Sequence, residues 1–180
     1  MKGIVFTELL EMVEHKLSLA TVDEVLKRAN PASGGIYTAV GTYPVGELFA
    51  IVTALSEVTK TPIPDLLFMF GEHLFGRFVT GYPAFFEHVT SPIDFLSKVD
   101  SYIHIEVRKL YPDAELPRFD SEVVSPNEIR LTYHSPRRMA AFARGLISGC
   151  GKHFDRTLDI QQEDVSDGSG QDVLFTVRAR

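Results

Sequence analysis

Two short segments of this chain carry residues that could bind a metal ion and an anion. His104 lies in the segment Ile103–Leu110, whose apolar spacing favours a helix, and Tyr133, Ser135 and Arg137 alternate further along the chain. A neutral imidazole is a common metal ligand. A guanidinium can hold a carboxylate with two parallel hydrogen bonds, and hydroxyl groups can supply further donors. The pattern indicates a metal ligand on one element and an anion-binding group on another.

Haem would use both groups, because its iron takes an axial nitrogen and its propionates accept hydrogen bonds. Each observation also has a plainer interpretation. A lone histidine on an apolar helix face is more often a core residue than a ligand. Ser135 before Pro136 is also typical of a helix N-cap. His73, in a phenylalanine-rich segment, is the second candidate ligand.

Composition excludes several classes of protein. A net charge of −6 argues against a nucleic-acid partner, because phosphate binding needs a basic surface. The single cysteine, Cys150, rules out a disulfide within the chain or a multi-thiolate metal site, and it favours a cytoplasmic location. No apolar run approaches the ~20 residues of a membrane span. The GxSxG, P-loop and GxGxxG motifs are also missing, so we do not predict an enzyme.

The spacing of apolar residues and the helix and turn signals predict one domain, residues 1–180, of mixed helices and strands. The predicted helices cover about residues 2–18, 21–28, 45–58, 62–78, 91–110 and 136–152, and the predicted strands cover 119–124, 128–133, 157–162 and 173–178. The last third is therefore an antiparallel sheet with a helix on one face. Thr21 and Glu24 form a capping-box pattern, and Ser91-Pro92 is a strong helix start.

Phenylalanine is concentrated in residues 68–95, which hold seven of the thirteen in the chain. This density suits the wall of a large apolar pocket. An ordinary aromatic core explains it equally well. The seven are Phe68, Phe70, Phe75, Phe78, Phe85, Phe86 and Phe95.

Several segments together resemble the haem nitric oxide/oxygen-binding (H-NOX) family, which is related to the haem domain of soluble guanylate cyclase. They occur in the family's order and at matching spacing, and they span nearly the whole chain. The segments are Met1–Phe6, Gly71–Phe75, Ile103–Pro117, Tyr133–Arg137 and Gly145-Leu146.

The resemblance implies an α+β fold with haem b between two lobes. The N-terminal lobe, about residues 1–65, would be helical, and the C-terminal lobe, about residues 66–180, would hold a four-stranded antiparallel sheet plus helices. His104 matches the family's proximal iron ligand. Tyr133, Ser135 and Arg137 match its propionate-binding residues. Pro117 matches the proline that presses on the porphyrin and distorts it.

The same register implies which side chains line the distal, gas-binding side of the haem. Oxygen-binding members of the family place a tyrosine on the distal helix, where this chain has Phe142. Bound oxygen needs a hydrogen-bond donor, whereas nitric oxide and carbon monoxide bind ferrous iron well without one. We therefore expect this chain to bind nitric oxide and to exclude oxygen. The implied distal residues are Val5, Leu9, Leu74, Phe78, Phe142 and Leu146.

The resemblance also implies a signalling role. Nitric oxide would weaken the bond between His104 and iron, and the resulting movement would reach a separate partner, such as a histidine kinase or a cyclic-di-GMP enzyme. Some relatives carry a structural zinc site, but Met139, Ala141 and residues 164–171 supply no cysteine ligands here, so we expect no zinc. Two alternatives are a peroxidase-like haem enzyme, which would need a distal histidine or arginine, and a carrier of an apolar small molecule.

Overall fold

The structure is a computed structural model that describes residues 1–180. It contains seven α-helices and a four-stranded antiparallel sheet, which confirms the predicted α+β class. The chain divides into two compact units, unit 1 (Met1–Phe70) and unit 2 (Gly71–Arg180).

Unit 1 is helical. It comprises α1 (Gly3–Lys16), α2 (Leu19–Ala29), α3 (Val45–Thr59) and the first part of α4 (Ile63–Gly81). The predicted capping box at Thr21 is wrong, because α2 begins earlier: the Ser18 hydroxyl accepts a hydrogen bond from the backbone N–H of Thr21. The core side chains include Phe6, Leu9, Met12, Val13, Val25, Leu48, Ile51 and Leu55.

Two carboxylates are buried in unit 1, those of Glu8 and Glu47. Glu47 is 9% exposed and accepts hydrogen bonds from the Ser33 hydroxyl at 2.6 Å and the Tyr37 hydroxyl at 2.8 Å. The Tyr37 ring stacks on Phe6 with ring centroids 4.5 Å apart. The connection between α2 and α3 is thereby held to α3 by hydrogen bonds and to α1 by an aromatic contact.

Unit 2 holds the rest of α4 and the sheet. Its further helices are a 3₁₀ helix (Pro83–Phe86), α5 (Pro92–Ser97), a π-helix (Val99–Ile103), α6 (His104–Leu110) and α7 (Ala140–His153), and its strands are β1 (Arg118–Ser125), β2 (Glu128–His134), β3 (Leu158–Asp164) and β4 (Asp172–Ala179). The strand order is β1-β2-β4-β3, and every neighbouring pair is antiparallel.

The core of unit 2 lies on one face of this sheet. Alternate residues of the central strands are buried, because successive side chains of a strand point to opposite faces. Three of the clustered phenylalanines, Phe75, Phe86 and Phe95, pack ring against ring in the same core, with centroids 5.0–5.7 Å apart. For these three, the aromatic-core interpretation applies. The buried strand residues are Ile129, Leu131, Tyr133, Val173, Phe175 and Val177.

The segment predicted as one helix over residues 91–110 is broken in the structure. α5 begins as predicted, with the Ser91 hydroxyl accepting from the Asp94 N–H at 3.1 Å and Pro92 at the first helical position. The π-helix then separates α5 from α6. The helix predicted from Pro136 also starts later, at Ala140.

Cys150 is fully buried in α7. Burial raises the pKa of its thiol far above the ordinary value, so the group stays protonated. His15 and His88 are exposed. None of the helices has both the length and the apolar character needed to cross a lipid bilayer.

Candidate functional site

His104 is the first residue of α6 and follows the π-helix directly. The residue is 9% exposed, and its Nδ1 lies 3.2 Å from Oδ1 of Asp100. Burial lowers the pKa of the imidazole, and the Asp100 carboxylate opposes that effect. When Nδ1–H donates to Asp100, the neutral ring presents Nε2, with a free lone pair, as its metal-binding atom.

Asp100 is a residue of this site that the sequence reasoning missed. Its Oδ1 accepts a second hydrogen bond, from the backbone N–H of Phe119 at 3.2 Å. One carboxylate oxygen therefore joins the imidazole to the start of β1. The signal was an acidic residue four positions before a histidine in a helical segment, a spacing that brings side chains together.

Tyr133 and Ser135 lie at the end of β2 and just beyond it. They are 2% and 8% exposed, and the alternation predicted from the sequence places both on the buried side. The Tyr133 hydroxyl accepts a hydrogen bond from the Met139 backbone N–H at 3.1 Å, which leaves its own O–H to donate. The Ser135 hydroxyl oxygen accepts from the backbone N–H of Arg137 at 3.2 Å, and its hydrogen is likewise available.

Arg137 holds Glu115. Its Nη1 donates to the Glu115 backbone carbonyl at 2.7 Å, and its Nη2 donates to the Glu115 carboxylate. The Arg137 side chain is 16% exposed, whereas that of Glu115 is 80% exposed. The Arg137 guanidinium thus binds a carboxylate, which is the kind of group that the sequence analysis predicted it to bind.

Aromatic rings link the two parts of the site. The ring of Phe119 lies 6.0 Å from that of His104 and 5.6 Å from that of Tyr133, its partner across the β1–β2 pair. Pro117 is half-buried in the connection between α6 and β1. His104, Pro117 and the Tyr133–Arg137 segment therefore belong to neighbouring elements of unit 2.

Four of the six expected distal residues lie on α4 and α7 of unit 2. A Cβ at Gly71 would lie 2.3 Å from the Phe142 carbonyl oxygen and 2.9 Å from the Gly145 Cα. The two helix backbones therefore touch, which only glycine allows at this distance. Leu74 is buried, whereas Phe78, Phe142 and Leu146 are half-buried.

The other two expected distal residues lie in unit 1. Val5 is half-buried and Leu9 is buried, both on α1 of unit 1. His73, the second candidate ligand, is half-buried on α4. His134 hydrogen-bonds Asp172 at 2.6 Å and Asp120 at 3.0 Å, on the opposite sheet face from Tyr133 as strand alternation predicts.

A family model described as haem-NO-binding matches residues 2–162 of this chain. The chain belongs to the H-NOX family. The resemblance read from its motifs is therefore confirmed, and the chain is a haem-binding gas-sensor domain. A search of curated proteins gave no significant match.

Solved H-NOX structures resemble this one along its whole length. The Fe(II) unliganded H-NOX protein from K. algicida has a TM-score of 0.94 and 37% identity, covering 100% of this chain and 97% of that one. The S. oneidensis protein in the Fe(II)NO state has a TM-score of 0.92 and 27% identity, covering 100% and 99%. The IWP-051-bound H-NOX from Shewanella woodyi, in the Fe(II)CO state, has a TM-score of 0.85 and 40% identity, covering 100% and 95%.

The side chains of unit 2 fit the haem that the H-NOX family implies. A buried imidazole with one nitrogen hydrogen-bonded to a carboxylate is the usual form of a histidine metal ligand. Two hydroxyls and a guanidinium on one segment are a suitable donor set for carboxylates. The chemistry of both donor sets agrees with the two parts of the cofactor.

Proposed function

We propose that this H-NOX domain is a sensor that binds nitric oxide and carbon monoxide at ferrous haem and excludes oxygen. The observation that carries the proposal is the buried His104 imidazole, whose Nδ1 is held by Asp100. His104 would supply the proximal nitrogen ligand through Nε2. The solved relatives from S. oneidensis and Shewanella woodyi, in Fe(II)NO and Fe(II)CO states, support the choice of gases.

The cofactor is haem b in this proposal, held without covalent attachment, since the single cysteine is buried in α7. The Tyr133 and Ser135 hydroxyls and the Arg137 guanidinium donate hydrogen bonds to the propionates, and Pro117 presses on the porphyrin. When bound, haem supplies an iron atom with one coordination position for a diatomic gas. We propose no zinc site in this chain.

Gas selectivity follows from the distal side chains. The residues proposed to face the bound gas carry no hydrogen-bond donor, since all six are aliphatic or phenylalanine. Oxygen gains stability on iron when a donor approaches its outer atom, and it gains none from hydrocarbon side chains. The six are Val5, Leu9, Leu74, Phe78, Phe142 and Leu146.

The signal is proposed to start at His104. His104 would hold the haem iron, which would supply the site for nitric oxide, and release of the His104 imidazole would free α6 to move. A ligand can shift such a two-state element because it binds the two states unequally. The partner that reads this shift is proposed to be a separate histidine kinase or cyclic-di-GMP enzyme, with the H-NOX domain itself acting as a sensor and not as an enzyme.

Anaerobic absorption spectra of the reduced protein test the proposal. We expect a Soret band that shifts with nitric oxide and with carbon monoxide and stays unchanged in air until the iron oxidises. A stable oxygen complex would contradict the selectivity. A purified protein without a Soret band, even after haem is supplied, would favour an apolar carrier instead.

Substitution of the ligand tests the role of His104. In His104→Ala with added imidazole, haem is retained but the imidazole is no longer attached to α6, so nitric oxide should not alter the activity of a responsive partner enzyme. His15→Ala, an exposed histidine on α1, is the matched control and should respond like the wild type. Full switching by the His104→Ala protein with imidazole would rule out signalling through the bond between His104 and iron.

A further inference from the structure

Asp100 connects the candidate iron ligand to the sheet. Its Oδ1 lies 3.2 Å from both His104 Nδ1 and the backbone nitrogen of Phe119. We propose that Asp100 is a positioning residue that strengthens the bond between His104 and iron and couples that bond to the start of β1. This inference rests on the proposed function, because it takes His104 as the ligand.

A carboxylate behind a histidine ligand has a known physical effect. It fixes which ring nitrogen carries the proton, orients the ring and makes the other nitrogen a stronger electron donor. Here the oxygen is shared, so Asp100 also accepts from Phe119. The ring orientation of His104 and the position of Phe119 are therefore set by the same atom.

The local backbone places the Asp100 carboxylate within reach of the His104 ring. The N–H of His104 donates to the carbonyl of Val99, five residues back, so the π-helix contains one residue more than an α-helical turn would. Such insertions are frequent at functional sites. Asp100 lies in this turn, four positions before His104, and its carboxylate reaches the imidazole ring.

The connection continues into the propionate-binding segment. Phe119 pairs with Tyr133 across the β1–β2 ladder, and their rings meet edge to face with centroids 5.6 Å apart. A displacement of the His104 ring would move Asp100, then Phe119 and then Tyr133. This order of contacts gives movement at the iron ligand a physical route into the sheet.

The test compares Asp100→Asn with Asp94→Asn in the haem-loaded protein. Both carboxylates lie in the same region of unit 2 with similar side-chain exposure, 37% for Asp100 and 31% for Asp94. Asp94 pairs with Lys98 on the surface at 2.8 Å. The asparagine keeps the shape and one acceptor oxygen at either position, removes the charge and replaces the second oxygen with an amide NH2 group.

In Asp100→Asn we expect a lower iron–histidine stretching frequency in the resonance Raman spectrum of the ferrous protein. A larger share of the nitric oxide complex should have lost its histidine ligand, and haem should dissociate about tenfold faster or more. Asp94→Asn should match the wild type in all three measurements. An Asp100→Asn protein with an unchanged stretching frequency would overturn the inference, even if its thermal stability fell.

Amide hydrogen exchange at Phe119 gives a second readout. Asp100→Ala removes the acceptor of the Phe119 N–H, so its exchange should accelerate about tenfold or more relative to neighbouring amides of β1. Unchanged exchange in Asp100→Ala would overturn the coupling to the strand. If the wild-type iron were bound by a residue other than His104, the proposed function would fail as well, whereas the two outcomes above reject the role of Asp100 alone.

Discussion

Two hydroxyl groups determine how the buried carboxylate of Glu47 behaves. The hydrogen bond from Ser33 lowers the pKa of Glu47 most, burial opposes it, and Tyr37 adds a second hydrogen bond that lowers it. The pKa of Tyr37 shifts in the opposite direction, to about 12. Burial is the largest cause of this rise, and the neighbouring Glu47 charge adds to it. The carboxylate therefore stays charged and the phenol stays neutral at ordinary pH.

Tyr37 should make the folded protein sensitive to alkali. Its pKa rises from 10.0 to about 12 on folding, so the stability that it contributes is complete below pH 10 and is lost as the pH rises towards 12. Urea denaturation of the wild type and of Tyr37→Phe at several pH values between 9 and 12 measures this. We expect the wild-type free energy of unfolding to fall more steeply in that window than that of the variant.

Tyr102→Phe is the control for this experiment, because Tyr102 is 42% exposed. It should follow the wild-type curve. Parallel curves for the wild type and Tyr37→Phe would show that Tyr37 does not titrate differently in the two states.

At the scale of elements, the packing of α4 against α7 depends on glycine. A Cβ at Gly149 would lie 2.7 Å from the Phe75 Cβ and 3.2 Å from the Glu72 carbonyl oxygen. Around this contact, Glu72 accepts a hydrogen bond from the Ser148 hydroxyl at 2.6 Å and pairs with Lys152 at 2.7 Å. The two helices are thus held at close range by backbone contact and by polar side chains.

Gly149→Ala should lower the free energy of unfolding by about 1–3 kcal/mol, because the added methyl forces the helices apart. Chemical denaturation measures the change. Gly76→Ala on α4 is the matched control: its Cβ would meet nothing within 4 Å, so it should be neutral or stabilising by about 0.4–1 kcal/mol. Equal effects at the two positions would contradict close packing at Gly149.

The strands could be predicted from the sequence because their signal is local. Ile129, Leu131 and Tyr133 alternate with polar residues, and a short turn joins β1 to β2. An alternating pattern has the same period as the strand that it specifies, so no tertiary information is required. The helices Pro92–Ser97 and Val45–Thr59 were readable for the same reason.

The breaks in the helices could not be predicted in this way. The π-helix, Val99–Ile103, adds one residue to a single turn, which is too short for the spacing of its apolar residues to reveal a change of period. α7 starts at Ala140 because the Tyr133 hydroxyl binds the Met139 N–H and Arg138 adopts a left-handed φ of 55°. Both causes depend on tertiary contacts.

In the candidate site, too, some residues can be recognised from local sequence and others depend on tertiary contacts. His104 and the alternating Tyr133, Ser135 and Arg137 stand out by residue type and spacing. Glu115 and Arg137 are twenty-two positions apart in the sequence, and one of their hydrogen bonds is accepted by the Glu115 backbone carbonyl. No local sequence pattern predicts such a contact. Sequence can thus identify the groups that would touch the cofactor better than the groups that hold them in place.

For the whole molecule, haem binding and folding should be linked. A ligand that binds only the folded state raises the free energy of unfolding by an amount that grows with the logarithm of its affinity, so loading with haem should raise the thermal midpoint. Arg137→Gln removes one proposed propionate donor, so the rise on loading should be smaller and haem should pass faster to an acceptor such as apomyoglobin. Differential scanning calorimetry and absorbance follow the two effects.

Arg130→Gln is the control for this comparison, because Arg130 is half exposed on β2 and meets the exposed Glu122 in a contact of 3.5 Å. It should gain as much stability from haem as the wild type gains. An equal loss in both arginine variants would point to general electrostatics and not to a specific propionate contact.

The burial of Cys150 has a practical consequence for following these movements. The only thiol in the sequence is shielded from solvent, so maleimide reagents should leave the native protein unmodified. A single cysteine introduced at exposed Lys109 on α6 would then take a spin label or fluorophore selectively. Such a probe could report on α6 as the gas arrives, with no need to remove the native cysteine first.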